Sequence, residues 1–452
     1  MTKPNKRKPD PAQKAPGAKQ PEAPFERHRA QPVPAAGVGA MVNRRAADRL
    51  RSGSVWVYAS DIDSIELPDA DAPPRLLPVA DARGLLLGTA LYSPTSQIAL
   101  RMVSREAIDE SAWLELLAAR LRASIERRIP RLKNEPATTD SCRLCFSEAD
   151  ELPGLVVDKY GDLVILQLLA KGLDSPAVRE TCVRVIREGL APTAILDSIL
   201  ERPDPRIREL EGLDAPAPGA LWTAAGDPAA AKTATLFHLN GLAFHYDANS
   251  GQKTGAFLDQ AANYNAAQEY AWLLAPGGRA LDVCCYQGGF ALHLARVSKR
   301  VTGIDASRAS LEVAERNLDA NRGQLGAEVD WVQGDAFEIL REWSGAGETF
   351  DTIVLDPPAF AKSQRAVEGA LRGYKELNLR ALKMLRPRGL LITCTCSHHV
   401  SWAEFEGTVA SAAADANRRV RLHDRRGAAP DHPVILNLAE TEYLKCLVLE
   451  VE

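Results

Sequence analysis

Two cysteines close an apolar run, Leu390-Leu391-Ile392-Thr393-Cys394-Thr395-Cys396-Ser397-His398. The run reads as a buried strand that delivers a thiol to its own carboxyl end. Side chains of a strand alternate faces, so Cys394 and Cys396 point the same way, with Cys396 one pleat nearer the tip. Ligands of an open parallel sheet collect just beyond those tips, which makes Cys396 a candidate nucleophile. Free cysteine is also among the most buried residue types, so two small residues filling a core fit the same run. The residues that end the other strands separate the two readings.

The segment Ala280 to Cys285 runs into Cys285-Tyr286-Gln287-Gly288-Gly289-Phe290, a glycine turn that admits a ligand against the backbone but lacks the GxGxxG spacing. A pyrophosphate needs that full cradle, whereas an adenosyl sulfonium such as S-adenosylmethionine has no phosphate to cradle. Asp305 ends the second strand, where a carboxylate accepts ribose hydroxyls. Gly334-Asp335-Ala336-Phe337 follows the third, with an acid and an apolar wall to bracket an adenine. An Asp after a strand often caps a helix, but three such features after three consecutive strands point to a nucleoside.

The fourth strand ends in Asp356-Pro357-Pro358-Ala359-Phe360. The prolines fix the turn and remove backbone donors, so the Asp356 carboxylate faces the pocket in a preset geometry. Carbon 5 of a pyrimidine is a poor nucleophile, and a thiolate added to carbon 6 makes it enamine-like. That chemistry asks for a thiolate and a partner for cytosine N3, and Cys396 and Asp356 supply them as the predicted catalytic pair. In amino-nitrogen methyltransferases an aromatic commonly follows the two prolines directly, and Ala359 in that place weighs against an exocyclic nitrogen target. His398 and His399 are adjacent, so only one can face the pocket from an extended strand.

These residues need a sheet to hold them. Strands over Ala280 to Cys285, Arg300 to Ile304, Val329 to Gln333, Phe350 to Leu355 and Gly389 to Thr395 alternate with helices over Gly289 to Arg296, Ser307 to Asn321, Ala336 to Trp343, Gly369 to Leu385 and Trp402 to Ala414. Repeated βα units imply an α/β, mostly parallel, doubly wound sheet, here starting near Leu236. Val420 to Asp424 and Tyr443 to Val451 follow with no helix between them, so one runs antiparallel. Upstream, Glu110 to Ile129 carries apolar residues at helical spacing up to Pro130. A hairpin around Tyr160-Gly161-Asp162, a helix from Pro176 to Glu188 and a strand at Ala194-Ile195-Leu196 make a small α+β unit, and Ala215 to Thr235 reads as a loop. Short apolar alternations from Val42 to Arg101 form a small β-domain, in which Arg44, Arg45, Arg49 and Arg51 precede Trp56-Val57-Tyr58. Arginine beside aromatics suits RNA, and a solvated helix beside a core Trp fits the same residues.

With 452 residues, several domains are expected. Charged residues are 25% and apolar ones 46%, and no apolar run approaches the ~20 residues of a membrane span, so the expectation is a cytoplasmic protein without membrane partners. The eight cysteines then read as thiols, and Cys142 and Cys145, a CxxC with no second pair, as packing. The net charge of −4 hides a basic arm in residues 1–40, poor in aromatics, which reads as a disordered tail that adds salt-sensitive attraction to phosphate or merely solubilises.

From Trp56 onward the chain resembles the bacterial PUA-domain-containing 23S rRNA (cytosine-5)-methyltransferases of the RlmI type. The matching segments include Tyr92 to Ile98, Glu148 to Asp158, Gly251 to Gln260, Tyr286 to Phe290, Asp356-Pro357-Pro358, Arg372 to Lys375, Cys396-Ser397, Asp431 to Val434 and Tyr443-Leu444-Lys445. The resemblance implies a Rossmann-like class I methyltransferase sheet over 236–452, a central α+β domain over 136–235, a helical connector over 106–135 and a PUA-like RNA-binding barrel over 41–105. It implies that Cys396 is the nucleophile and that Lys253, Thr254, Gly255, Phe257, Asp259 and Gln260 form an extra cofactor-binding segment. With Asp282, Tyr286, Gly288, Asp305, Asp335, Ala336, Asp356 and Pro357 these make the predicted S-adenosylmethionine site. The basic arm lies outside the family pattern, and Ala359 stands where some members carry a lysine.

The function this implies is methyl transfer to carbon 5 of a cytosine in ribosomal RNA, with 23S rRNA as the expected partner and a homodimer kept among the assemblies. Two alternatives stay open at this point. A guanine-N7 or other RNA methyltransferase on the same scaffold would not need Cys396, and a non-catalytic RNA-binding assembly factor would not turn over the cofactor.

Overall fold

The computed structural model describes residues 39–69, 74–133, 138–216, 219–249 and 255–452. The expectations for the basic arm up to residue 38 and for Lys253 and Thr254 fall outside these residues.

The N-terminal sheet has six strands: β1 (Gly39–Val42), β2 (Trp56–Tyr58), β3 (Ile62–Glu66), β4 (Leu76–Asp81), β5 (Leu86–Tyr92) and β6 (Ile98–Ser104), in the order β2-β6-β5-β4-β1-β3. Helix α1 (Arg44–Arg51) starts where the Asn43 side chain accepts the Ala46 N–H at 2.9 Å, and Ala46, Ala47 and Leu50 face the sheet core. Its arginines are largely matched by acids. Arg49 pairs with Asp61, and Arg51 with Asp81 at 2.6 Å, so the cluster offers phosphate less free charge than its sequence suggests.

The central unit packs α2 (Glu110–Leu132) and α3 (Pro176–Leu190) on a sheet of order β11-β10-β9-β8-β7. Its strands are β7 (Cys142–Phe146), β8 (Leu155–Tyr160), β9 (Leu163–Leu168), β10 (Ser198–Glu201) and β11 (Trp222–Thr223). The short helix α4 (Pro205–Glu211) follows β10. Three expectations are corrected here. Helix α2 continues two residues past Pro130, which removes one N–H from the last turn without ending the helix. Ala194-Ile195-Leu196 is not a strand: Ile195 is 83% exposed, and the pairing edge beside β9 is taken by Ser198–Glu201. The loop predicted over Ala215 to Thr235 contains β11, and its end already belongs to a hairpin, β12 (Ala234–Leu239) and β13 (Leu242–Asp247).

After α5 (Ala261–Leu274) comes the seven-stranded sheet: β14 (Arg279–Val283), β15 (Arg300–Asp305), β16 (Glu328–Gln333), β17 (Phe350–Leu355), β18 (Leu385–Thr395), β19 (Val420–Arg426) and β20 (Lys445–Val451). Its order is β16-β15-β14-β17-β18-β20-β19. The first five strands run parallel, and β20 is antiparallel to both neighbours, as its helix-free connection requires. Helices α6 (Gly289–Leu294), α7 (Arg308–Asn321), α8 (Ala336–Ala346), α9 (Val367–Met384) and α10 (Trp402–Asp415) cover it. Strand order reverses between β14 and β17, the place where such sheets open a crevice.

Candidate active site

A cavity of about 540 Å³ opens at that crevice, walled by the turns after β14, β15, β16 and β17 and by the tip of β18. Ten of the predicted site residues line it: Phe257, Asp259, Gln260, Tyr286, Asp305, Asp335, Ala336, Asp356, Pro357 and Cys396. Hydrogen bonds hold several of them in place.

The turn after β14 carries two non-glycine residues in left-handed backbone, Cys284 at φ 63° and Tyr286 at φ 50°. Such strain persists only where the surroundings over-determine it. Asp305 does so, since one carboxylate oxygen accepts the Tyr286 N–H at 2.9 Å and the other accepts Ser307 N–H at 2.8 Å. Ionised carboxylate oxygens keep spare lone pairs, so Asp305 can still accept from hydroxyls in the cavity. The Tyr286 hydroxyl donates to the Gly255 carbonyl at 3.1 Å, tying the turn to the segment before α5.

Asp335 caps α8, accepting from Phe337 N at 2.8 Å and Glu338 N at 3.1 Å through one oxygen. Beside it Ala336, Phe337 and Phe360 form an apolar wall, the two rings 5.9 Å apart. Asp356 accepts from Gln260 Nε2 at 3.0 Å, which turns its carboxylate toward the cavity.

Cys396 is half-buried, its Sγ 3.9 Å from the carbonyl oxygen of Pro357, so the thiol predicted as nucleophile meets the Asp-Pro-Pro turn. Both flanking residues are pinned. Thr395 Oγ1 donates to the Tyr374 hydroxyl at 2.8 Å, that hydroxyl lies 2.8 Å from Ser397 Oγ, and Ser397 Oγ accepts the Ala361 N–H at 3.1 Å. A buried hydroxyl chain thus fixes the tip from which the thiol projects. Lys445, opposite Thr395 on β20, is buried as well. Burial lowers its ammonium below the ordinary lysine range, while Glu442 and then Cys396 favour its charge.

Cys394 is fully buried one pleat back and pairs in register with Cys446. Hydrogen bonding with Cys446 and burial hold its thiol well above the usual range, which suits packing and not attack.

Three predicted residues stand behind the cavity wall. Asp282 is fully buried and accepts the Ala291 N–H at 2.8 Å, holding the start of α6. Burial, against that bond and with Asp356 and Asp305 nearby, pushes its carboxyl well above the carboxylate range, so it serves the turn as a neutral group. Gly288, at φ 84°, passes so close to Trp331 that a Cβ would lie 2.8 Å from the ring. Gly255 contributes its carbonyl to Tyr286. Tyr264 and Leu377 line the cavity with no motif that marked them, each being an apolar position of its own helix, while Leu444 lies within the Tyr443-Leu444-Lys445 segment. His398 faces a neighbouring pocket instead.

The cavity fits S-adenosylmethionine on its donor set. Asp305 and Asp335 offer acceptors for hydroxyl and amino groups, the apolar wall takes a flat base, and the carboxylates suit a cationic sulfonium and ammonium. Fold and site together define a class: an S-adenosylmethionine-dependent methyltransferase joined to a PUA-like domain.

Comparison with known proteins agrees. Residues 40–105 match a PUA-like domain model and residues 274–427 a methyltransferase domain model. The ribosomal RNA large subunit methyltransferase I of Tolumonas auensis is 35% identical over 87% of this chain and 94% of its own length. That of Pseudoalteromonas translucida is 35% identical over 88% and 95%. Among solved structures, one described as a SAM-dependent methyltransferase from Streptococcus mutans superimposes with a TM-score of 0.72 at 19% identity, covering 91% of this chain and all of that one. The chain belongs to the ribosomal RNA large subunit methyltransferase I family.

Proposed function

We propose that this protein methylates carbon 5 of a cytosine in large-subunit (23S) ribosomal RNA through a covalent adduct on Cys396. The observation that carries the reading is the half-buried thiol of Cys396 on the same cavity wall as Asp356, 3.9 Å from the next residue's carbonyl. The names of the curated relatives support ribosomal RNA as substrate. In this reading residues 41–105 grip the RNA, residues 236–452 carry out the transfer, and the work is done in the cytoplasm. No described helix is long and apolar enough to cross a membrane.

The target base is unstacked into the mouth of the cavity. The Lys445 ammonium favours the thiolate, which adds to carbon 6 and pushes the double-bond electrons toward carbon 5. Asp356 meets the N3 edge and holds the proton that balances charge there. When bound, S-adenosylmethionine offers an electrophilic methyl on its sulfonium. Loss of the carbon-5 proton to water at the cavity mouth then restores the double bond and expels the Cys396 thiolate, so the enzyme emerges unchanged.

Tritium transfer from labelled cofactor to an in vitro 23S rRNA transcript tests this. Cys396→Ala should lower the rate on the order of 10³-fold or more, and nucleoside analysis should find 5-methylcytidine with the unmutated chain. Undiminished transfer by Cys396→Ala, or a guanosine product, would overturn the proposal.

A further inference from the structure

A second pocket of about 300 Å³ lies against the first, at the low end of ligand-site volumes. The two share Phe257, Asp259 and Tyr443 as a partition. Three sheets meet here: Trp56 comes from β2, Arg143 and Phe146 from β7, and His398 from the turn two residues after Cys396.

Its walls are planar. Phe146 sits at the centre, its ring 5.1 Å from His432, 6.1 Å from Tyr443 and 5.5 Å from the Arg143 guanidinium. Aromatic and guanidinium planes are the surfaces on which unpaired bases stack. The charge excludes a phosphate as occupant. The Nε and Nη2 edge of the Arg143 guanidinium is paired with both oxygens of the Asp158 carboxylate at 2.8 Å, while Glu148 and Glu440 add acceptors to the wall. Trp56 Nε1 donates to Glu148 at 2.9 Å, which fixes the ring and turns that carboxylate along the pocket. Such a lining takes a neutral flat group with amino hydrogens to give.

We propose that this pocket binds a second unpaired nucleobase of the RNA, the neighbour of the target base in the chain. The inference rests on the ribosomal RNA reading above. Position supports it, since an occupant lies one partition away from the cavity holding Cys396, with His398 joining the two along the chain. Holding the neighbour splays the strand and keeps the target unstacked in the first cavity.

The full-length chain, two variants and an unmodified 23S rRNA transcript test it. Phe146→Ala removes the central ring, and Glu148→Gln removes the charge while keeping an acceptor for Trp56. Both should bind the transcript more weakly, Phe146→Ala by roughly five- to a hundredfold, with cofactor binding unchanged and a single cooperative melting transition retained. A transcript carrying 4-thiouridine and 6-thioguanosine should crosslink to the peptides holding Trp56 or Phe146. Wild-type affinity in both variants, or crosslinks confined to other peptides, overturns the pocket assignment. Affinity lost in the variants with no 5-methylcytidine made by the unmutated chain would uphold the pocket and overturn the methylation reading. Failure of the unmutated chain to bind the transcript would overturn both.

Discussion

The two adjoining cavities share a wall but are built in opposite ways. The first comes mainly from one sheet, from turns that follow consecutive strands: Asp305 fixes Tyr286 and Asp335 starts α8, with Gln260 holding Asp356 and Tyr374 pinning the tip of β18 from outside the sheet. The second is closed between sheets and held by buried charge. Arg128 pairs with Asp150 at 2.7 Å and donates to the Asp431 carbonyl at 3.0 Å, and the Arg143 N–H donates to the Asp431 carboxylate at 2.9 Å. Burial alone would raise the Asp431 carboxyl, but His432 beside it, the Arg131 charge and the Arg143 N–H hold it at about 2. Tyr443 closes the partition by donating its hydroxyl to Asp259 at 2.5 Å. The first cavity is thus placed mainly by the turns of one sheet, and the proposed grip on RNA by contacts between three sheets.

That contrast breaks if a change on one side moves the other's readout. The largest separation is expected for Asp356→Asn. It keeps the shape and an acceptor for Gln260 while removing the charge, and should lower the methylation rate about 10²- to 10⁴-fold. Affinity for the 23S transcript should stay unchanged, and a parallel loss of affinity would merge the cavities into one binding surface. The Phe146 and Glu148 variants are the mirror image, changing affinity first.

A smaller effect tests whether the first cavity's turn depends on its own packing. His293 on α6 is fully buried, with Nδ1 2.7 Å from the Gly289 carbonyl and Nε2 3.1 Å from Asn240 Nδ2. The carbonyl needs a donor and the amide an acceptor, so the network assigns the neutral ring. Burial lowers its pKa to about 4, against about 6.5 in an unfolded chain. The unfolded chain therefore takes the proton first as pH falls. This contribution is full above about pH 6.5 and shrinks toward pH 4, by about 2 to 3 kcal/mol at pH 4.5. Urea unfolding at pH 7 and 4.5 should show a steeper loss for the unmutated chain than for His293→Gln, and equal losses would contradict the assignment.

The same contrast explains what the sequence could tell. Strand ends, glycine turns and the Asp-Pro-Pro corner are local, so the parallel sheet, the antiparallel end strand and most of the first cavity's lining were legible. That Asp282 stands behind the wall was not legible, because a strand acid shows only its register, not that the Ala291 N–H of α6 takes its carboxyl. The Ala194-Ile195-Leu196 reading failed because an apolar triplet does not say whether a pairing edge is free. Tyr374 was visible only within a motif, since its hydroxyl reaches Thr395 and Ser397 from another helix. The second pocket was not legible as a pocket: Trp56, Glu148, His432 and Tyr443 stand in matching segments, but that they meet around Phe146 shows only once three sheets have packed.

The central claim is the covalent bond between Cys396 and carbon 6 of the target cytosine. A 23S rRNA transcript made with 5-fluorocytidine tests it directly, because fluorine cannot leave carbon 5 as a proton does and the adduct persists. After incubation with the full-length chain and S-adenosylmethionine, nuclease and protease digestion and mass spectrometry should find a methylated fluorocytidine nucleotide on the peptide containing Cys396. That peptide also holds Cys394, so the adduct should vanish in Cys396→Ala and persist in Cys394→Ala. No adduct, or one that survives Cys396→Ala, would contradict the account.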